Sequence, residues 1–261
     1  MSCTLGHERR VANMRIPLTR IQKLIGQRML QSKLSKPCFY IESKADVTEL
    51  MALRRKLTKS LGVKITSNAF FIRALALAAS RYPIMVGTLR CEDQSAGPVG
   101  NPTTARNIAI KRKISGTASI RIADSINVGF PVHAPQGLVV PVIKNADKKT
   151  LAEIARLEKS FTESARSNKL RLDQMQGQTI GLSNLGPYGI DSFWGIVAPP
   201  ASTILAVGNV VNTVIPQDGE PTICRIVNLS LAVDHRIING TYAAQFLSFI
   251  AEQLQNPQQL I

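Results

Sequence analysis

The chain has 261 residues, 44% of them hydrophobic, which is enough for a sizeable core and excludes a disordered or fibrous protein. Thirty-two Lys and Arg stand against 17 Asp and Glu, and the resulting +15 favours polyanionic partners: nucleic acid, an acidic protein surface or a phosphorylated cofactor. Apolar stretches such as residues 69–79 are broken by charge at Arg73 and fall short of the roughly 18 residues a membrane span needs, so no membrane partner is expected.

Residues 1–36 carry eight basic side chains against the single acid Glu8, and the stretch before Arg15 reads as a basic tail or linker without the apolar segment of a secretory signal. Cys3, Cys38, Cys91 and Cys224 form neither a CxxC pair nor a zinc-ligand spacing, which points to a reducing compartment and to no metal site.

Residues 18–35 set Ile21, Leu24, Ile25 and Leu30 at helical spacing behind a Thr19/Gln22 capping box, and Pro37 ends the helix. A strand is expected over 39–47. Helices follow over 46–61, ending at Gly62, and over 67–81, ending at Tyr82-Pro83. Residues 90–119 mix Gly, Pro, Ser and Thr with the run Lys111, Arg112, Lys113, and read as a solvent-exposed surface insertion. Strands resume at 125–132 and 138–144. Thr150 and Glu153 then cap a helix carrying Leu151, Ile154, Leu157 and Phe161. Strands over 179–185, 202–211 and 223–233 precede a last helix over 241–255, expected to bury Ala244, Phe246, Leu247, Ile250 and Leu254. Alternating strands and helices define an α/β layer architecture, helices packed on a mixed sheet.

His235 follows a strand and precedes a helix, a turn from which a side chain can project into a cleft while its backbone stays fixed. A lone histidine is also commonly structural, as His7 and His133 are read here. Ser183-Asn184 lies among glycines after another strand, where turn chemistry alone accounts for the composition.

These two turns stand in a series of blocks: RIPLTRIQKLIGQRM (15–29), FYIESKADVTELMALRRKL (39–57), GLVVPVIKNADKKTLAEIA (137–155), LSNLGPYGIDSF (182–193), APPASTILAVG (198–208) and DHRIING (234–240). In that order they resemble the catalytic core of the dihydrolipoyl acyltransferases of 2-oxo acid dehydrogenase complexes, most closely the acetyl, pyruvate branch, over nearly all of 15–261. The resemblance implies a chloramphenicol acetyltransferase-like fold, assembled as a homotrimer with active sites between subunits, and trimers assembled into a larger octahedral or icosahedral core. It implies coenzyme A (acetyl-CoA) as substrate, a lipoyl group supplied by a domain outside this chain, and lipoyl domains and dehydrogenase components as partners, in the cytoplasm or the mitochondrial matrix. His235 matches the family's general base and Ser183 its oxyanion hydrogen-bond donor.

A positioned imidazole suits that task, because free thiols titrate near pH ~8.5 and the thiolate is the competent nucleophile. The third site position, Asn239, stands where the family pattern has an aspartate paired with an arginine, for which Arg28 is the candidate here. Asn239 and the lack of lipoyl and binding domains leave open a structural core subunit with impaired catalysis. Leu260 and Ile261, the only large apolar residues after Leu254, are the candidates for docking a neighbouring trimer. The basic residues lack interleaved aromatics, which argues against nucleic acid as the partner.

Overall fold

The computed structural model of the chain describes residues 15–91, 118–135, 137–217 and 219–261. The 1–14 tail, His7, Cys3 and the Lys111–Lys113 run lie outside them.

Among the described residues five helices form, four of them starting at a side-chain N-cap. Helix α1 (Arg20–Ser35) starts at the reciprocal Thr19/Gln22 box, with Gln22 N–H donating to Thr19 Oγ1 at 3.2 Å and Thr19 N–H to Gln22 Oε1 at 2.9 Å. Helix α2 (Thr48–Leu61) stops at Gly62, whose φ of 60° lies in the left-handed region. Helix α3 (Ser67–Arg81), capped by Thr66, buries nine of its fifteen residues and is the hydrophobic spine of the molecule. Helix α4 (Leu151–Arg166) begins at the Thr150/Glu153 box, and α5 (Gly240–Gln255) at Asn239.

The strands are β1 (Cys38–Asp46), β2 (Gly87–Cys91), β3 (Ala118–Ile122), β4 (Val128–Gly129), β5 (Val132–Ala134), β6 (Gly137–Val139), β7 (Val142–Ile143), β8 (Ile180–Asn184), β9 (Thr203–Gln217) and β10 (Glu220–Asp234). Six of them make one mixed sheet in the order β1-β10-β9-β8-β4-β7, parallel at β8/β9 and β8/β4 and antiparallel elsewhere.

Side chains in register share a face. The row Leu182, Leu205, Leu231 and Ile41 turns toward the helices and joins the core with Phe70, Phe71 and Phe246. The next row, Ser183, Ala206, Ser230 and Glu42, turns the other way. Those leucines are fully buried; full burial of such a side chain contributes about 1.5–3 kcal/mol.

Several expectations are corrected. The strand expected over 125–132 is reduced to β4 and the start of β5, and that over 138–144 splits into the end of β6 and β7, because Pro131, Pro135 and Pro141 interrupt the ladders. Ala243 rather than Ala244 is buried on α5, a shift of one residue and therefore of about 100° around the helix. The expected surface insertion over 90–119 meets strand at both ends: Arg90 pairs with Ser119 and Cys91 with Ala118 in the β2/β3 ladder, all four exposed, and residues 92–117 lie outside the described ones. Strands β9 and β10 run six and three residues further toward their shared turn than expected, forming a hairpin joined at Gly219, φ 87°. Leu260 is no free docking residue: it is fully buried in the chain's own core, within the short turn Pro257–Leu260, and only Ile261 stays exposed. Among the described residues no helix is long and apolar enough to cross a membrane.

Candidate active site

Strand β10 ends at Asp234, and the next five residues form a tight turn into α5. His235 N–H donates to the Pro37 carbonyl at 2.9 Å, and the N–H groups of Ile237 and Ile238 both donate to the Asp234 carbonyl, at 3.2 and 3.1 Å. Ile238 anchors the turn in the core, 1% exposed. The His235 ring packs 4.9 Å, centroid to centroid, from Phe39 and holds its Nδ1 2.9 Å from the Ile238 carbonyl oxygen. A carbonyl can only accept, so Nδ1 carries the proton and Nε2 keeps its lone pair. A neutral imidazole held in this tautomer, on an exposed turn, leaves Nε2 free to accept a proton.

Charge surrounds the turn. Asp234, 1% exposed, accepts a fork from Arg236, and the same contact, which is the largest influence on Arg236, raises that guanidinium's affinity for its proton. Lys36 donates to the Ala201 carbonyl, and burial is what pulls its ammonium below the ordinary lysine value. The neighbouring Cys38 thiol is pushed up, chiefly by burial, which keeps it protonated and inert.

Asn239 caps α5: its Oδ1 accepts the Tyr242 N–H at 2.9 Å. Among the described residues it has no arginine partner, and Arg28 sits exposed on α1.

Ser183, half-buried, is the fourth residue of β8 and faces away from the helices. The chain after it is pinned to β9: Leu185 N–H donates to the Val207 carbonyl at 3.1 Å, and Asn209 N–H to the Ile190 carbonyl at 2.7 Å. Two glycines make that approach possible. A Cβ at Gly186 would lie 2.4 Å from the Gly208 carbonyl oxygen, and one at Gly208 would lie 1.9 Å from that of Asp191.

The sheet register separates the two functional groups. Ser183 pairs with Ala206, which pairs with Ser230, and His235 lies five residues beyond Ser230 along β10. Two strand spacings across and five residues along put Ser183 and His235 on the order of 20 Å apart in one chain. Asn68, which sequence reading missed, contacts Asn184, the residue next to Ser183, and Glu158 in turn holds Asn68; no motif marks them, since they lie 116 and 26 positions from Asn184.

The mixed sheet thus carries His235 at the end of its central hairpin and Ser183 near the end of β8, the frame of an α/β domain with a candidate site at its strand ends. The chain belongs to the family of 2-oxoacid dehydrogenases acyltransferase (catalytic domain), whose model matches residues 11–97 and 104–261.

Similar curated proteins include the dihydrolipoyllysine-residue acetyltransferase component of the pyruvate dehydrogenase complex of Rickettsia bellii, 31% identical over 245 residues, covering 92% of this chain and 52% of the relative. The mitochondrial counterpart from Schizosaccharomyces pombe is 31% identical over 254 residues, covering 94% and 47%. The chain thus spans about half the length of the curated relatives it matches.

Among solved structures, a probable dihydrolipoamide acetyltransferase from Listeria monocytogenes superposes with a TM-score of 0.79 at 29% identity, covering 94% of this chain and 95% of that one. The dihydrolipoamide acetyltransferase of Azotobacter vinelandii gives 0.80 at 29% identity, covering 95% and 93%; its crystallographic and enzymatic study concerns the catalytic roles of a serine, a histidine and an asparagine. The cubic core of a pyruvate dehydrogenase multienzyme complex also gives 0.80 at 29%, with the same coverage. The fold is that of these acyltransferase cores, the α/β class expected from the sequence.

Proposed function

We propose that the chain is an acetyltransferase core that moves an acetyl group between dihydrolipoamide and coenzyme A in a pyruvate-type 2-oxo acid dehydrogenase complex. The observation that carries this reading is a spacing. The serine, histidine and asparagine studied in the Azotobacter enzyme stand 52 and 4 positions apart, and Ser183, His235 and Asn239 stand 52 and 4 apart. Asn239 is therefore no sign of lost catalysis, and the reading as an impaired scaffold loses its main support.

In the forward direction the coenzyme A thiol gives its proton to His235 Nε2 as its sulfur attacks the acetyl thioester carbon. The carbonyl becomes an oxyanion, to which the Ser183 hydroxyl donates a hydrogen bond. As the tetrahedral intermediate collapses, the dihydrolipoamide sulfur leaves with the bonding pair and takes the proton back from the imidazolium. Since Ser183 and His235 are too far apart to meet in one chain, His235 of one copy works with Ser183 of another, as a homotrimer allows. The likeness to a cubic core supports further assembly of trimers. The lipoyl arm comes on a lipoyl domain, and dehydrogenase components complete the complex, in the cytoplasm or, as in the fission yeast relative, in mitochondria.

The test is acetyl transfer from acetyl-CoA to free dihydrolipoamide by the purified chain. His235→Ala should abolish transfer, and Ser183→Ala should lower kcat roughly a hundredfold while leaving coenzyme A binding little changed. A loss confined to KM would count against both roles, and no transfer by the unmodified chain would favour a scaffold.

A further inference from the structure

Glu158 is a largely buried carboxylate that the mechanism above does not use. It projects from α4 to the start of α3, where its Oε2 accepts the Thr66 hydroxyl at 2.5 Å and its Oε1 accepts the Asn68 amide at 3.1 Å. Burial is the main influence on it and raises its pKa, against the pull of those two neutral donors. The chain of bonds continues. Asn68 Oδ1 accepts from Asn184 Nδ2 at 3.3 Å, and Asn184 Oδ1 accepts from Gly186 N–H at 3.0 Å.

This chain has a direction. An ionised carboxylate can only accept, so it turns the Asn68 amide with its NH2 toward Glu158 and its oxygen toward Asn184. The Asn68 oxygen then demands the NH2 of Asn184, which leaves the Asn184 oxygen facing the Gly186 N–H. One carboxylate thus sets two amide orientations and ends on the backbone that follows Ser183.

The pleat carries that constraint to the hydroxyl. Successive strand residues face opposite ways. Ile180 and Leu182 of β8 lie in the core beneath the helices, and Asn184 extends the same side to Asn68. Ser183, between Leu182 and Asn184, is then held toward the opposite face, in the row of Ala206 and Ser230.

We propose that Glu158 and Asn68 are positioning residues for Ser183: together they tie Asn184 to the helix layer and so fix the direction of the neighbouring hydroxyl. The proposal rests on the reading of Ser183 as oxyanion donor. A hydroxyl displaced by a fraction of an ångström still binds substrate but stabilises the oxyanion less, so the expected signature lies in kcat.

The experiment is steady-state acetyl transfer from acetyl-CoA to dihydrolipoamide by Asn68→Ala, Asn68→Leu, Glu158→Leu, Glu158→Gln and Ser183→Ala, with melting temperature and particle size recorded for each. Asn68→Leu is close to isosteric and supplies a folded variant should the alanine fail. Asn68→Leu and Glu158→Leu should lower kcat about tenfold at unchanged KM for acetyl-CoA. Glu158→Gln keeps an acceptor for Asn68 and should return kcat to within about twofold of wild type. In the Ser183→Ala background the Asn68 variant should cost nothing further, since the hydroxyl it aims is gone. Wild-type kcat in folded Asn68→Leu, or an equal loss with and without Ser183, overturns the proposal. If Ser183→Ala alone retains full kcat, it is the oxyanion reading that fails, and the positioning role falls with it.

Discussion

Arg236 closes a fork on Asp234, with Nη2 2.6 Å from Oδ2 and Nε 2.9 Å from Oδ1, and His235 is the residue between them. The carboxylate is 1% exposed and the guanidinium side chain 25%, so the pair braces the turn from its buried side.

Arg236→Met keeps the aliphatic stem but strands the Asp234 charge, and should lower stability by about 2–4 kcal/mol in chemical denaturation. Adding Asp234→Asn should restore part of the loss. A single variant as stable as wild type would mean that water reaches the carboxylate.

A site divided between copies predicts complementation. Oligomers refolded from equal amounts of His235→Ala and Ser183→Ala chains should carry intact sites at roughly a quarter of positions and recover activity accordingly. Activity no higher than the average of the two parents would put both groups in one chain.

Asn239 acts as a neutral cap, a task that needs no charge. Asn239→Asp should therefore preserve α5 and add about 0.3–1 kcal/mol through the helix dipole, whereas Asn239→Ala should lose about 1 kcal/mol, both readable as melting shifts. No gain in rate is expected from Asn239→Asp, since among the described residues Asn239 bonds to the Tyr242 N–H and to no arginine. A large kcat gain in Asn239→Asp would show that such a partner exists.

Stability should respond to pH through Glu158. Its folded pKa lies above the ordinary 4.5, so between that value and its raised one the folded chain holds a proton the unfolded chain has lost. Stability contributed by the protonated form is present below 4.5 and is lost as pH rises through the folded value. Glu158→Gln removes this dependence, and its melting temperature relative to wild type should climb from acidic to neutral pH. A relative fall would mean that the Thr66 and Asn68 bonds outweigh burial.

At the C-terminus, Leu260→Ala should destabilise the chain by about 2–5 kcal/mol, as for other fully buried leucines. Deleting Ile261 alone should leave the melting temperature unchanged, so light scattering on that variant isolates any role in assembly. A particle that shrinks only with the Leu260 change would reflect folding rather than docking.

The helices were legible because their signals are local: a capping box spans four residues, and Gly62 marks its own stop. The central strands were legible from apolar runs. Asp218-Gly219, between Gln217 and Glu220, is a hairpin signal in the sequence that extends β9 and β10, and reading it would have set their ends. Two-residue strands such as β4 exist only through their neighbours, and Leu260, singled out in the sequence as a docking residue, is seen to be core only once the helices beneath it are in place. His235, Ser183 and Asn239 were reachable from motif resemblance. Their separation was not, because register is a tertiary property, and neither was the Glu158–Asn68–Asn184 chain, whose contacts join residues 90 and 116 positions apart.

The long hairpin carries a hazard of its own. Beyond Asn209, among the described residues, the edge of β9 that faces away from β10 meets no other strand, and the overhang reaches roughly 25 Å, with Val214 and Ile223 exposed across from each other. A bare edge flanked by apolar side chains is a template for strand addition by any chain that arrives. Near the tip Pro216, opposite Pro221 of β10, has no N–H to offer a strand arriving on the β9 edge. Copies left unassembled at high concentration are therefore the ones prone to precipitate, and Pro216 limits how far such a stack can grow from the tip inward.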